Sequence, residues 1–168
     1  SDLRVEQRKA LEAMRTIPHD AVDQYAIRAQ YGPGEKDGKR WPGYREEEGV
    51  DPESNTETFA AMKVYLDNWR WEGVPFFLRT GKRLHRKVTQ IVVTFKPTPQ
   101  CLFRHNQEQC PQPNRLVINV QPDEGISLRF EAKVPGQALE IRSAVMDFDY
   151  CQQFGGEAPD AYAHLLLE

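Results

Sequence analysis

The sequence predicts an α+β fold, a mainly antiparallel β-sheet with helices packed on one face, over residues 1–168 as a single domain. Three observations predict it. The second half of the chain alternates apolar and polar residues with a period of two. The clearest run is "GISLRFEAKVP", where Ile126, Leu128, Phe130, Ala132 and Val134 oppose Ser127, Arg129, Glu131 and Lys133. The connections between such runs are short and carry Pro-Asp-Glu-Gly and Pro-Gly, which suits antiparallel neighbours. Apolar residues at helical spacing mark both ends of the chain, so helices accompany the sheet.

Taken in order, residues 2–16 place Leu3, Ala10, Leu11 and Met14 on one helical stripe, and Pro18 ends the helix. Residues 20–31, "DAVDQYAIRAQY", read as a second short helix or as an extended segment. Residues 32–55 are rich in Gly, Pro and charge and have no period, which predicts a long loop. Residues 56–70, "TETFAAMKVYLDNWR", carry two patterns. Ser54 and Glu57 have capping-box spacing, with Phe59, Met62 and Lys63 on one helical face, whereas Val64 to Trp69 alternate like a strand. A helix that becomes a strand near Lys63 satisfies both. Residues 74–80 are short, apolar and aromatic, with Pro75 near the start, as in a strand whose first residues donate nothing to a ladder. Strands follow at 88–95, 114–122, 125–135 and 137–150. No internal repeat or low-complexity segment interrupts them.

The chain has 168 residues and a net charge of −3. That acidic balance argues against a nucleic-acid or membrane-surface partner, which would call for a broad basic field. No apolar run reaches the length of a membrane span, and no signal peptide precedes Ser1. Cys101, Cys110 and Cys151 lack metal-ligand spacing and read as thiols of a cytoplasmic protein, a Cys101–Cys110 bridge being the lesser alternative. The chain opens on Ser1-Asp2 and stops inside the helical run "PDAYAHLLLE", from which we expect a piece of a longer protein.

Between Arg79 and Lys87 stand five basic side chains, one His and no acid. If 74–80 and 88–95 are strands, residues 81–87 connect them at one end of the sheet. Gly81 there permits a tight turn or the close approach of a ligand to the backbone. Lys82 and Lys87 place two ammonium groups at that end, a reasonable anion or sugar-phosphate site. As a charge run alone, the segment fits a solvated turn better. Other motifs lead nowhere. "QCLFRHNQEQC" matches no zinc spacing, and His19, His85, His105 and His164 form no metal dyad. There is no nucleophile elbow or dinucleotide fingerprint, and "GPGEKDGK" lacks P-loop spacing. Asp147 and Asp149 alternate on one strand and are read as structural. No catalytic residue and no metal site are expected in this chain.

Residues 54–95 resemble glucose-6-phosphate dehydrogenase. The resemblance rests on Asn68-Trp69-Arg70-Trp71, Gly73-Val74-Pro75-Phe76 and Arg79-Thr80-Gly81-Lys82, in order and at family spacing. "NRLVINVQPDEGI", "PDAYAHLLLE" and the opening helix extend it over nearly the whole chain. It implies the middle of the second, α+β domain of an enzyme that oxidises the C1 hydroxyl of glucose 6-phosphate to the lactone and passes hydride to NADP, in the pentose phosphate pathway. NADP is then bound by an N-terminal Rossmann domain that this chain lacks. The phosphate-gripping segment and the proton-abstracting His would also lie upstream of Ser1, so the chain alone is expected to be inactive. Residue by residue, Lys82 matches a lysine that contacts the sugar, Lys87 a second cation near the sugar hydroxyls and phosphate, and Gln121 a glutamine beside the same sugar.

The resemblance also implies a homodimer or homotetramer paired through the sheet. Some animal members hold a second, structural NADP on this domain. Arg79 and Arg129 match two of its cations, but Val88, Val92, Asn119 and Ser127 stand at the other positions, so no second NADP is expected. The alternative reading is a non-catalytic dimerisation or binding module whose basic turn is solvated.

Overall fold

The computed structural model describes residues 2–97, 112–136 and 140–155, and every strand pair in it is antiparallel. The α+β class is borne out. The chain divides into two compact units, Ser1–His85 and Arg86–Glu168.

The first unit begins with helix α1 (Asp2–Glu12), whose exposed face carries the ion pairs Arg8–Glu12 and Lys9–Glu6, each at 2.7 Å. The helix stops four residues before the expected Thr16. The reason is tertiary: Ala13 O accepts from Asp67 N (2.7 Å), Arg15 N donates to Tyr65 O (2.9 Å), and Met14 forms a β-bridge with Leu66. Backbone groups that would have continued the helix are paired across the chain instead.

Arg15 also grips Asp67 with Nε at 3.0 Å and Nη2 at 2.6 Å. That hydrogen bond holds the Asp67 carboxyl below its ordinary range. A depressed folded value means the pair's contribution is complete above the unfolded carboxylate pKa of about 3.9 and is lost as pH falls through the lower folded value. Both side chains are half exposed, so the contribution is modest and weakened by salt. Melting temperatures of wild type and Asp67→Asn should therefore differ by a constant amount at neutral pH and converge in acid. A gap that persists in acid would disprove the pairing.

Residues 20–31 satisfy both alternatives: helix α2 (Val22–Tyr25) runs into strand β1 (Ala26–Ala29). The expected long loop at 32–55 is corrected by the structure. It holds a hairpin, β2 (Gly34–Lys36) with β3 (Lys39–Trp41), followed by a 3-10 turn at Tyr44–Glu46. The turn residues Asp37 (φ 54°) and Gly38 (φ 72°) are both left-handed, which is the geometry an Asp-Gly hairpin needs. The strands are short, charged and exposed, so no alternation announced them.

The helix expected from 56 towards Lys63 is also corrected. Phe59–Val64 is strand β4, paired with β1 on one side and with β5 (Phe76–Gly81) on the other. Ala60, Ala61 and Met62 favour helix locally, but two flanking strands supply ladder partners along this segment, and pairing overrides propensity. Ser54 takes part in a local turn with Thr56 rather than in a capping box. Val64, 5% exposed, is the most buried apolar side chain among the described residues. Between β4 and β5, Asn68 Oδ1 accepts from Trp71 N at 3.0 Å, and Trp71 meets Phe76 edge to face at 5.4 Å. The Asn-Trp-Arg-Trp run is thus a turn with an aromatic anchor.

The second unit is a four-stranded meander, β6 (Thr89–Thr94), β7 (Arg115–Gln121), β8 (Gly125–Lys133) and β9 (Ile141–Asp149), followed by the short helix α3 (Tyr150–Phe154). Its register aligns the apolar positions in rows. One row runs Ile91, Ile118, Ile126, Phe148 and the next Val93, Leu116, Leu128, Met146. Directly paired residues project to the same face, so one face of this sheet is continuously apolar. Asp149 Oδ1 caps α3 by accepting from Gln152 N at 2.8 Å, which gives that residue the structural role read from sequence.

Among the described residues, no helix is long and apolar enough to cross a membrane and no three His, Cys, Asp or Glu groups gather to hold a metal. The readings of Cys101, His105, Cys110, His164 and the closing helix fall outside the described residues.

Candidate functional site

The basic segment is anchored at its start by β5. Gly81 pairs with Phe59, and a Cβ on Gly81 would stand 2.8 Å from Phe59 Cδ2, so a larger residue here would force the Phe59 ring to shift. Lys82 N donates to Thr58 O at 2.8 Å, which fixes the Lys82 backbone to the entry of β4. Thr58 is fixed in turn: its N donates to Ala29 O (3.0 Å) and its Oγ1 accepts from Tyr31 N (2.9 Å). The Lys82 side chain is exposed and makes no hydrogen bond or ion pair among the described residues.

Lys87 and Gln121 meet in the second unit. Together with Arg86, Gln90, Asn119 and Asp123 they line a cavity of about 340 Å³, within the roughly 300–1,000 Å³ typical of small-ligand pockets. A β-bulge builds it. Thr89 pairs with Gln121 but Gln90 pairs with Asn119, so Val120 is the extra residue on β7. A bulge at a strand end re-aims the neighbouring side chains, and here Gln121 and Asn119 both come to the cavity. The lining holds two cations against one carboxylate, Asp123, and three side-chain amides that both donate and accept, a set that leaves one net positive charge for a hydroxyl-rich anion.

A larger cavity of about 520 Å³ lies in the first unit beside β1. Most of its polar groups are already paired, the Asp23 carboxylate being without a partner among the described residues. Gln30 Nε2 donates to Ser54 O (2.8 Å) and Thr56 O (2.9 Å), its Oε1 accepts from Arg45 Nε (2.9 Å), and Arg45 reaches Asn55. Gln30, Arg45 and Asn55 are thus a stitch holding the 45–57 segment.

Sequence models of known families settle the lineage. The model of the glucose-6-phosphate dehydrogenase C-terminal domain matches residues 1–168. The chain belongs to this family. Among curated relatives, glucose-6-phosphate 1-dehydrogenase of Treponema pallidum (strain Nichols) is 46% identical over 169 residues, covering 100% of this chain and 33% of the relative. That of Bacillus subtilis (strain 168) is 47% identical over 167 residues, covering 98% and 34%. A solved glucose-6-phosphate dehydrogenase in complex with its substrate glucose-6-phosphate superposes with a TM-score of 0.80 at 34% identity, over 98% of this chain and 32% of that one. The crystal structure of glucose-6-phosphate 1-dehydrogenase from Mycobacterium avium gives 0.69 at 31% identity, over 89% and 29%. The chain spans about a third of the length of the relatives it matches.

Within this glucose-6-phosphate dehydrogenase domain, the structure brings Lys87 and Gln121 to one cavity and puts Lys82 on the turn that ends β5 in the first unit. Arg86, Gln90, Asn119 and Asp123 were missed as lining residues. Arg86 stood in view within the basic burst. The others depend on a strand register and a bulge that leave no local trace. Arg129, one of the two cations counted towards a second coenzyme, donates from Nη2 to Ser143 Oγ (3.1 Å), which donates to Glu131 Oε1 (2.5 Å). That Arg129 nitrogen is thus engaged within the sheet.

Proposed function

We propose that this chain is the substrate-positioning and subunit-pairing part of an NADP-dependent glucose-6-phosphate 1-dehydrogenase, which converts glucose 6-phosphate to the 6-phosphogluconolactone in the oxidative pentose phosphate pathway. The observation that carries the proposal is the cavity where Lys87 and Gln121 meet at the bulge of β7. Lys87 acts as a compact positive charge with three donors, suited to the phosphate and nearby hydroxyls, and Gln121 donates to and accepts from the sugar hydroxyls. Lys82 is assigned a third contact on the family resemblance. These groups orient the hexose and do not exchange its protons. Oxidation at C1 releases a hydroxyl proton and a hydride. The coenzyme, bound by another domain of the full-length protein, supplies the hydride acceptor, and a base outside this chain takes the proton.

Subunit pairing through the sheet is supported by the apolar rows on β6–β9, where Ile91 and Met146 remain 54% and 62% exposed. A surface of that kind is usually covered by protein. The protein is assigned to the cytoplasm.

The test uses the full-length protein that carries this segment. NADPH formation should depend on glucose 6-phosphate, and Lys87→Ala should raise its KM by about tenfold or more, the loss of one hydrogen bond to a charged group. No turnover, with a dimer still seen by sedimentation, would leave only a non-catalytic pairing module with a solvated basic turn.

A further inference from the structure

The basic burst contains a cation, Arg83, that is exposed as the two lysines are but whose guanidinium, unlike their ammonium groups, has partners among the described residues. Arg83 follows Lys82 directly and has a left-handed backbone, φ 51°. A non-glycine residue keeps that conformation only where its surroundings over-determine it, and such sites cluster at ligand clamps. Here the surroundings are explicit. The guanidinium carbon lies 5.3 Å from the Tyr31 ring centroid and 5.0 Å from that of Trp41, and Nη2 donates to Glu47 Oε1. The same Glu47 oxygen accepts from the Tyr31 hydroxyl at 3.1 Å. Tyr31 is held by Tyr44, edge to face at 5.8 Å, and by Tyr44 N donating to Tyr31 O at 3.0 Å. Trp41 comes from the β2–β3 hairpin, whose Lys39 ammonium also lies over the indole, at 4.4 Å. A planar guanidinium suits such a clamp, because it can lie over aromatic faces while an N–H in its plane reaches a carboxylate.

We infer that Arg83 is a positioning residue for Lys82: the Tyr31–Trp41–Glu47 clamp locks the turn after β5 and thereby fixes where the neighbouring ammonium is presented. The inference rests on the proposed substrate contact of Lys82. It gives the 32–50 segment a purpose, that of buttressing the substrate loop. Two ties then hold Lys82, its own N–H on Thr58 and its neighbour's side chain in the clamp. Tyr31 joins them, because its N–H bonds Thr58 Oγ1 and its ring bears on Arg83.

The test is a mutant cycle in the full-length protein, reading kcat and KM for glucose 6-phosphate. Arg83→Ala should raise KM by about tenfold with kcat within about threefold, since uniform binding is lost and no chemical group is removed. The Lys82→Ala, Arg83→Ala double variant should show the KM of Lys82→Ala alone, because a residue acting through another adds nothing once that residue is gone. Arg83→Lys should recover less than half of the loss. Glu47→Gln, a milder change, should raise KM by about threefold and carries the same cycle if Arg83→Ala does not fold. A Lys82→Ala effect accompanied by unchanged KM in Arg83→Ala, or by KM effects that multiply in the double variant, overturns the clamp alone. A silent Lys82→Ala overturns the substrate contact and the clamp with it.

Discussion

Lys82→Ala is expected to raise the KM of the full-length protein for glucose 6-phosphate by about 10- to 100-fold, with the melting temperature unchanged. The magnitude follows from a hydrogen bond to a charged group, about 1.5–3 kcal/mol, at about 1.4 kcal/mol per factor of ten. The unchanged stability follows from the structure. The Lys82 side chain is exposed and has no partner among the described residues, so its removal breaks nothing in the fold. The backbone tie to Thr58 survives any side-chain replacement. Lys82→Arg should not restore full affinity, because a flat fork does not reproduce a compact ammonium in a site shaped for one. Steady-state kinetics with calorimetry on the same samples decides the matter. A KM within twofold of wild type would remove Lys82 from the substrate site.

Gly125→Ala is expected to have the largest effect on stability. Gly125 opens β8, is buried, and pairs with Asn119 on β7 and Asp149 on β9. A Cβ there would lie 2.7 Å from the Phe148 carbonyl oxygen, a backbone atom of the adjoining strand that cannot rotate aside. The strands must separate or the register must shift. Overpacking of this kind costs about 1–3 kcal/mol, or roughly 2–10 °C in melting temperature for a protein domain of this size. The effect should extend to substrate binding, since residues 122–124 link Gly125 to Gln121 and Tyr150 N is tied to Glu124 O at 3.1 Å. Differential scanning calorimetry of the variant checks the first part, and KM for glucose 6-phosphate the second. An unchanged melting temperature would mean that the strands are not as close as described.

The comparison of sequence with structure turns on how local each signal was. The strand at 125–133 was legible because its partners need only a face to lie on, and the alternation of Ile126, Leu128 and Phe130 states that face outright. Asp37-Gly38 was equally plain as a turn dipeptide, yet the flanking strands are three residues each, charged and exposed, so nothing in their pattern marked them as strands. Phe59–Val64 misled because Ala60, Ala61 and Met62 carry a real helical preference. What defeats it is the presence of β1 and β5 on either side, which no residue in the segment reports. Met14 and Arg15 left the helix for the same kind of reason.

By itself, then, the sequence determined the class of fold, the strands of the second unit, the family, and the residue types suited to a sugar phosphate. It determined these because side-chain period, turn chemistry and motif spacing are properties of neighbours along the chain. Only the tertiary structure decided that Arg83 faces two aromatic rings and a carboxylate, and that Gln121 shares a cavity with Lys87 through an unpaired Val120. Those are properties of register and of contacts between residues some thirty or more positions apart, and such contacts form only once the strands have chosen their partners.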